Sequence, residues 1–407
     1  MKEISGGICA PKGFKAGGVT CGIKASSKKR DLALIYSEKP CNAAAVFTTN
    51  KVKAASVLVS QEHIAGGKLR AVIANSGNAN ACTGEDGLDV ARKMAELVAG
   101  RFEIDPALVA VASTGVIGVP LPIDIIEKNI GALVGSLRDD EAGYDAALEA
   151  IMTTDTRKKG LALEIEVDRK PVRIGGIVKG SGMIHPNMAT MLCFITTDAA
   201  VEPEFLNSCL RDAVQRSFNR ITVDGDTSTN DMVVIMANGE AGNSPISESS
   251  PGYELFAGAL ESLCIYLARA TARDGEGATK LVTVTVLGAE DEDAAENIAR
   301  TVASSSLVKA ACFGADANWG RILCAMGYSG ADFDQDEVDV SFASEEGEIQ
   351  VCDGGESLPF SEEDAKRILK REEIEIRIKA GKGSGSAAAW GCDLTYDYVK
   401  INGDYRS

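Results

Sequence analysis

Strand-like and helix-like sequence patterns alternate along the whole of this 407-residue chain. The β-branched run 232–236 and the alternating segment 280–286 are typical of strands, whereas the apolar periodicity over 253–273 is typical of a helix. No short repeat, low-complexity segment or linker interrupts the alternation. The pattern predicts an α/β protein, and the length fits two domains or one large intertwined body.

Net charge and hydropathy exclude some classes of binding partner. The formal net charge is −17, which argues against nucleic acid or an anionic membrane surface, because both are bound through a surplus of lysine and arginine. No apolar run approaches the roughly 18 to 20 residues that cross a bilayer. The first residues resemble neither a signal peptide nor an organelle transit peptide, so we expect a cytoplasmic protein without a membrane partner.

The numbers and spacing of cysteines and histidines limit the catalytic mechanisms and metal sites that this chain can have. Eleven cysteines are scattered without a Cys-x-x-Cys pair, and His63 and His185 are the only histidines. We therefore expect reduced, mostly buried thiols and no metal site. His63 is interpreted as a solvated surface residue. His185, five residues before Thr190, fits either a catalytic base or a residue that shapes its loop.

The segment 179–192, Lys-Gly-Ser-Gly-Met-Ile-His-Pro-Asn-Met-Ala-Thr-Met-Leu, follows neither a helical nor a strand period. It leads into a predicted strand at 191–196, which puts Thr190 at a loop-to-strand junction. Because histidine is scarce, a threonine hydroxyl activated by an α-amino group is a better supplied nucleophile than a Ser-His-Asp triad. Such an amine has a pKa of about 8 and can accept the hydroxyl proton.

This chemistry requires the Ala189–Thr190 bond to be cut, since an internal threonine has no free amine. Attack of the Thr190 hydroxyl on the Ala189 carbonyl would give an ester by an N-to-O acyl shift, and hydrolysis would free the amine. The alternative is that Thr190 simply begins a strand.

Two polar or glycine-rich loops are further candidates for the active site, and a third glycine-rich segment is rejected. Residues 75–84 form either a turn cluster held by asparagine side chains or a wall of the active site. Residues 113–118 form a predicted turn after a strand at 108–112, and such a turn can aim backbone N–H groups at an oxyanion. The segment 383–388 matches G-x-G-x-x-A, but too little chain follows it for a dinucleotide-binding βαβ unit.

Several spaced blocks of the chain resemble the bifunctional arginine-biosynthesis proteins, the glutamate N-acetyltransferase (ornithine acetyltransferase) family. The resemblance covers nearly the whole sequence. The blocks are 75–80, 113–118, 179–192, 224–231, 273–280, 313–321 and 390–396.

The resemblance implies a self-processing enzyme of the N-terminal-nucleophile type, with helices flanking two central β-sheets in a four-layer sandwich. It implies an α chain of residues 1–189 and a β chain of residues 190–407, assembled as an α2β2 heterotetramer. It implies acetyl transfer from N2-acetyl-L-ornithine to L-glutamate through acetyl-Thr190, without a cofactor. It leaves open whether acetyl-CoA is a second donor.

The resemblance also assigns site residues. Thr114 and Gly115 correspond to an oxyanion-hole pair, and Ala189 and Thr190 to the cleavage site. The positions that correspond to substrate contacts are Thr153, Lys179, Thr190, Glu276, Asn402 and Ser407. Lys179 can pair with the substrate α-carboxylate and Glu276 with the side-chain amine of ornithine. The family often ends in threonine where this chain has Ser407, and we expect the hydroxyl contact to be retained.

Two other classes of protein stay open at this point. The first is a hydrolase, such as an aminopeptidase or amidase, that uses the same N-terminal threonine, because acyl transfer and hydrolysis differ only in whether water reaches the acyl-enzyme. The second is an uncleaved binding protein on the same scaffold.

Overall fold

The computed structural model describes residues 1–24, 28–185 and 191–404. Within these ranges the chain forms two mixed β-sheets with helices packed on them, which confirms the predicted α/β class with two sheets.

The strands are β1 (Lys2–Ile4), β2 (Phe14–Val19), β3 (Leu32–Phe47), β4 (Lys68–Asn78), β5 (Val109–Val116), β6 (Lys159–Val167), β7 (Lys170–Lys179), β8 (Leu192–Thr197), β9 (Met232–Ala237), β10 (Leu281–Ala289), β11 (Asp339–Ser344), β12 (Gly347–Asp353), β13 (Glu356–Ser357), β14 (Glu373–Lys379) and β15 (Gly385–Cys392). The helices are α1 (Ala55–Ile64), α2 (Gly84–Phe102), α3 (Ile123–Gly135), α4 (Glu141–Ile151), α5 (Pro203–Gln215), α6 (Tyr253–Arg273), α7 (Glu292–Ser304), α8 (Ser306–Gly314), α9 (Trp319–Gly327), α10 (Glu362–Leu369) and α11 (Tyr396–Asp404).

The larger sheet has the order β1-β6-β7-β8-β9-β3-β4-β5, with β2 also paired to β3. Strands β8 and β9, from the second half of the chain, lie between β7 and β3, from the first half. Leu192 pairs with Lys179 on one side and with Met232 on the other, and Met232 also pairs with Phe47. The two halves of the chain are therefore intertwined in one sheet, as one of the two length-based expectations anticipated.

The smaller sheet, β13-β12-β11-β14-β10-β15, is built from residues 281–392 and is covered by α7, which packs on β10 and β15. Helix α6 packs on β6 and β7 of the larger sheet. It is long and apolar enough to cross a membrane by length and composition. Its side chains Phe256, Leu260, Leu263 and Leu267 are fully buried in the protein core, as expected of a core helix.

Most predicted elements are present, with some differences at their ends. β5 continues through the predicted turn to Val116, and β4 continues through Asn78. Helices α7 and α8 follow each other directly but are separate, because Ser305 between them has extended backbone and its hydroxyl accepts a hydrogen bond from Val308 N at 3.4 Å as the N-cap of α8. Segment 385–392, which includes part of the rejected dinucleotide motif, is strand β15.

Candidate active site

A cavity of about 110 Å³ lies where the ends of β5 and β7 meet the loop before β9 and helix α11. Six of the residues assigned by resemblance line it, although they are spread over almost 290 positions of the sequence. They are Thr114, Gly115, Thr153, Lys179, Glu276 and Asn402.

Thr114 and Gly115 lie at the end of β5, in close contact with β4. Gly115 has a φ of 134°, and a Cβ atom there would lie 2.4 Å from the carbonyl carbon of Gly77. Only glycine allows this approach, because no side chain fits between the two backbones. The resulting strand end is rigid and presents backbone to the cavity, the arrangement that an oxyanion-binding group requires.

Lys179, the last residue of β7, places a buried ammonium group beside this strand end. Its Nζ donates a hydrogen bond to Thr114 Oγ1 at 3.0 Å, and the residue is only 8% exposed. Burial lowers the pKa of Lys179, and the carboxylate of Asp155 opposes this effect. A cation so placed is an attractive partner for the carboxylate of a small substrate.

A buried ion cluster fixes the chain on either side of the lysine. Asp155 accepts hydrogen bonds from Lys159 Nζ at 2.6 Å, from Gly180 N at 2.7 Å and from Thr153 N at 2.9 Å. Asp274 approaches the same Lys159 Nζ at 2.5 Å. Burial raises the pKa of Asp155, but the ammonium groups of Lys159 and Lys179 hold it below its usual value, so the carboxylate stays ionised.

Glu276 supplies the opposite charge in the cavity. Its Oε2 accepts a hydrogen bond from Asn402 Nδ2 at 2.8 Å, and its backbone N–H donates to Ser181 O at 2.8 Å. A Cβ atom on Gly182 would lie 2.4 Å from Glu276 Oε2, so the glycine makes room for the carboxylate. Glu276 is only 9% exposed, which gives its charge a strong field inside the cavity.

Ala189, Thr190 and Ser407 lie outside the described residues. The chain next to Thr190 is fixed: Met191 O accepts a hydrogen bond from Met232 N at 2.9 Å, and Leu192 pairs with Lys179 across the sheet. The described chain therefore resumes, one residue after Thr190, beside the strand that carries Lys179.

A family model described as the ArgJ family matches residues 15–407. The chain belongs to the ArgJ family. It is 53% identical over its full length to the Arginine biosynthesis bifunctional protein ArgJ of Caldanaerobacter subterraneus subsp. tengcongensis, and 54% identical over its full length to that of Symbiobacterium thermophilum. Both alignments cover all of the relative.

Among solved structures, ArgJ from Bacillus halodurans matches with 47% identity and a TM-score of 0.51, covering 53% of this chain and all of that one. These findings confirm the resemblance to the bifunctional arginine-biosynthesis proteins. Membership in the ArgJ family makes the chain an enzyme of the acyltransferase class.

Asp231 is a buried acid near the cavity that the sequence analysis of this ArgJ-family chain did not single out. Asp231 is 2% exposed, and its Oδ2 has no hydrogen-bond partner among the described residues. Burial raises the pKa of Asp231 well above its ordinary value, although Lys179 opposes the shift. Asp155, Lys159 and Asp274 were also missed, because their side chains meet only in the folded protein.

The two histidines have structural contacts. His185 Nδ1 lies 3.1 Å from Thr222 Oγ1, and its carbonyl accepts a hydrogen bond from Thr227 Oγ1 at 2.9 Å. Burial lowers the pKa of His185, so its ring is neutral at cellular pH. His63 is half-buried and its Nδ1 lies 2.7 Å from Val109 O, so the prediction of a solvated residue was wrong.

All eleven cysteines are free thiols and eight are buried, which confirms the prediction of reduced, mostly buried thiols. Within residues 1–24, 28–185 and 191–404, no group of three or more potential metal ligands is found.

Proposed function

We propose that this chain transfers the acetyl group of N2-acetyl-L-ornithine to L-glutamate by a ping-pong mechanism, in the cytoplasm and as a step of arginine biosynthesis. The observation that carries the proposal is the pair of opposite charges in one small cavity. Lys179 and Glu276 both line this cavity, and the Thr114–Gly115 strand end lines it as well. Acetylornithine carries a carboxylate and a side-chain ammonium, which complement these two charges.

Thr190 is the nucleophile in this scheme. Its α-amine accepts the hydroxyl proton while Oγ1 attacks the acetyl carbonyl, and the oxyanion is stabilised by Thr114 and Gly115. Collapse breaks the carbon–nitrogen bond, and the α-ammonium returns the proton to the departing ornithine amine. The amine of glutamate then attacks the acetyl-Thr190 ester, and Thr190 Oγ1 leaves with the proton.

The scheme requires self-cleavage between Ala189 and Thr190, which gives an α chain of residues 1–189 and a β chain of residues 190–407. We propose that these assemble as an α2β2 heterotetramer. Thr153, Asn402 and Ser407 complete the substrate contacts. Asn402 acts by holding the Glu276 carboxylate, as its hydrogen bond supports.

Intact and denatured mass spectrometry of the purified protein, together with acetyl-transfer assays, tests the proposal. We expect two fragments, the second beginning at Thr190, and an ester-linked acetyl group on that fragment when glutamate is omitted. Thr190→Ala should remain one chain without transfer, whereas Thr190→Ser keeps a hydroxyl and should retain cleavage. A single uncleaved chain with full activity would contradict the mechanism.

Assays with and without glutamate separate transfer from hydrolysis. Release of free acetate at the same rate in both would favour an amidase or aminopeptidase. An uncleaved chain that binds acetylornithine without turnover would favour a binding protein.

Acetyl-CoA is the second candidate donor, because the relatives are named bifunctional. In this proposal acetyl-CoA acetylates the same Thr190. Replacing acetylornithine by acetyl-CoA in the assay should then give acetylglutamate from the parent and none from Thr190→Ala.

A further inference from the structure

Two of the matched sequence blocks, 75–80 and 224–231, have no role in the scheme above. In the structure they are joined by one side chain, that of Asn230. Its Nδ2 donates hydrogen bonds to Ala79 O at 2.6 Å and to Ser113 O at 2.8 Å. Asn230 is 5% exposed and lines the cavity.

The direction of the Asn230 amide follows from its partners. Two carbonyl oxygens can only accept, so the amide end that faces them is the nitrogen, and Thr229 Oγ1 then donates to Asn230 Oδ1 at 2.6 Å. The side chain therefore links the loop before β9 to the residue after β4 and to β5 at the same time.

The bond to Ser113 O acts directly on the oxyanion-binding strand end. The Ser113 carbonyl belongs to the same planar peptide unit as the Thr114 N–H, so holding the oxygen fixes the plane that leads into Thr114. This in turn sets where Thr114 Oγ1 and the following Gly115 N–H lie. Oxyanion stabilisation depends on donors placed within a few tenths of an ångström of the developing charge.

We propose that Asn230 is a positioning residue that holds the Thr114–Gly115 strand end in the geometry needed to stabilise the oxyanion, both in acetyl transfer and in self-cleavage. The inference rests on the proposed function, since this geometry matters only if Thr114 and Gly115 bind an oxyanion. Asn230 acts through the strand end and needs no contact with the substrate.

Asn243 provides a matched control. It is also buried, at 6% exposed, and its Nδ2 donates to Ala200 O at 3.1 Å and to Ser244 O at 2.7 Å. It bridges two carbonyls as Asn230 does, but it does not line the cavity. Asn230→Asp and Asn243→Asp make the same change: each replaces the donor group by an oxygen that repels both carbonyls.

We expect Asn230→Asp to lower kcat by about 10²-fold with KM for acetylornithine changed less than about threefold, and to slow appearance of the cleaved fragments. Asn243→Asp should alter thermal stability without this kcat effect. Amide hydrogen exchange over 109–118, measured by mass spectrometry, should be faster in Asn230→Asp than in the parent and in Asn243→Asp. Equal kcat and equal exchange in the two variants would overturn the proposal.

Thr229→Val covers the case in which Asn230→Asp does not fold. It removes only the hydroxyl that orients the Asn230 amide, and it should lower kcat about three- to tenfold with the same exchange signature. Unchanged kcat and exchange would overturn the proposal. A parent protein that shows neither cleavage nor acetyl transfer would instead refute the proposed function, while the exchange comparison would still measure whether Asn230 holds the strand end.

Discussion

At the scale of single residues, the main feature of the cavity is a set of ionisable side chains that are almost completely buried. Lys179 keeps its ammonium beside Thr114, and Glu276 keeps its carboxylate beside Asn402. Asp231 lies close enough to Lys179 for their charges to interact, yet its own burial favours the neutral carboxylic acid. The site thus combines the buried amine of Lys179 with the buried carboxyl group of Glu276, and burial raises the pKa of a third ionisable group, Asp231, beside the lysine.

Lys179→Met should raise KM for acetylornithine by about 10- to 100-fold, because a charge-assisted hydrogen bond to the substrate carboxylate is lost. Steady-state kinetics on the cleaved protein measure this. Lys280→Met is the control: Lys280 is similarly buried, but it donates to Cys312 O and does not line the cavity. An equal change in KM in both variants would count against the assigned contact.

Asp231→Asn should change how stability varies with pH. Because the pKa of Asp231 is raised, the native state keeps a proton that the unfolded state loses above about pH 4. The free energy of unfolding of the parent therefore falls as pH rises from about 4 toward the pKa of Asp231 in the native state. Asparagine cannot lose a proton in this range, and the variant therefore gains stability over the parent as pH rises above about 4.

Urea unfolding at several pH values measures the difference. Asp226→Asn, an exposed acid in the same loop, should follow the parent at every pH. A stability difference for Asp231→Asn that stays constant from pH 4 upward would contradict the buried neutral acid.

At the scale of elements, strand ends and short loops position the site. Lys179 ends β7, Thr114 lies near the end of β5, and Glu276 follows the carboxyl end of α6. Gly182 lies against the Glu276 carboxylate and leaves no room for a side chain. The loop after β7 therefore sets where the anion of the cavity can lie.

Gly182→Ala should displace the Glu276 carboxylate from Asn402 and raise KM for acetylornithine by about tenfold, equivalent to about 1.4 kcal/mol. Gly258→Ala, in α6, meets no atom within 4 Å and should leave KM unchanged while stabilising the helix by about 0.5 to 1 kcal/mol. Kinetics and thermal unfolding of both variants test this. Identical KM values would show that the carboxylate adapts to the added methyl group.

Element types could be predicted because apolar periodicity is a local property of the sequence, and the bounds of α6 match the predicted helix at 253–273. Strand ends at β4 and β5 could not, because a glycine pair in contact continues the sheet where glycine ordinarily indicates a turn. The family resemblance supplied the residues around the cavity. The partners that hold them, such as Asp155 and Asn230, meet only through the fold.

At the scale of the whole molecule, the proposed cleavage site divides a single sheet. Strands β8 and β9 would belong to the second fragment, but they are hydrogen-bonded to β7 and β3 of the first. Strand β3 also pairs with β4, and β7 with β6, so strands of the first fragment lie on both sides of the two strands from the second.

The cleaved fragments should therefore co-elute under native conditions and separate only in denaturant. Size-exclusion chromatography with and without guanidinium measures this. Residues 190–407 expressed alone should be insoluble, because β8 and β9 would expose two unpaired edges. Soluble, separately folded fragments would contradict the shared sheet.

If the proposed cut between Ala189 and Thr190 occurs, the position of β8 and β9 between strands of the first half favours folding before cleavage. A chain cut at Ala189–Thr190 during synthesis would have to assemble its central sheet from two diffusing pieces, at a cost that depends on concentration. A chain that folds first meets its own strands at a high local concentration, and the cut then follows as a consequence of reaching the native state. In the proposed scheme, a free α-amine at Thr190 would therefore form only in molecules that have already folded, and only those molecules would be active.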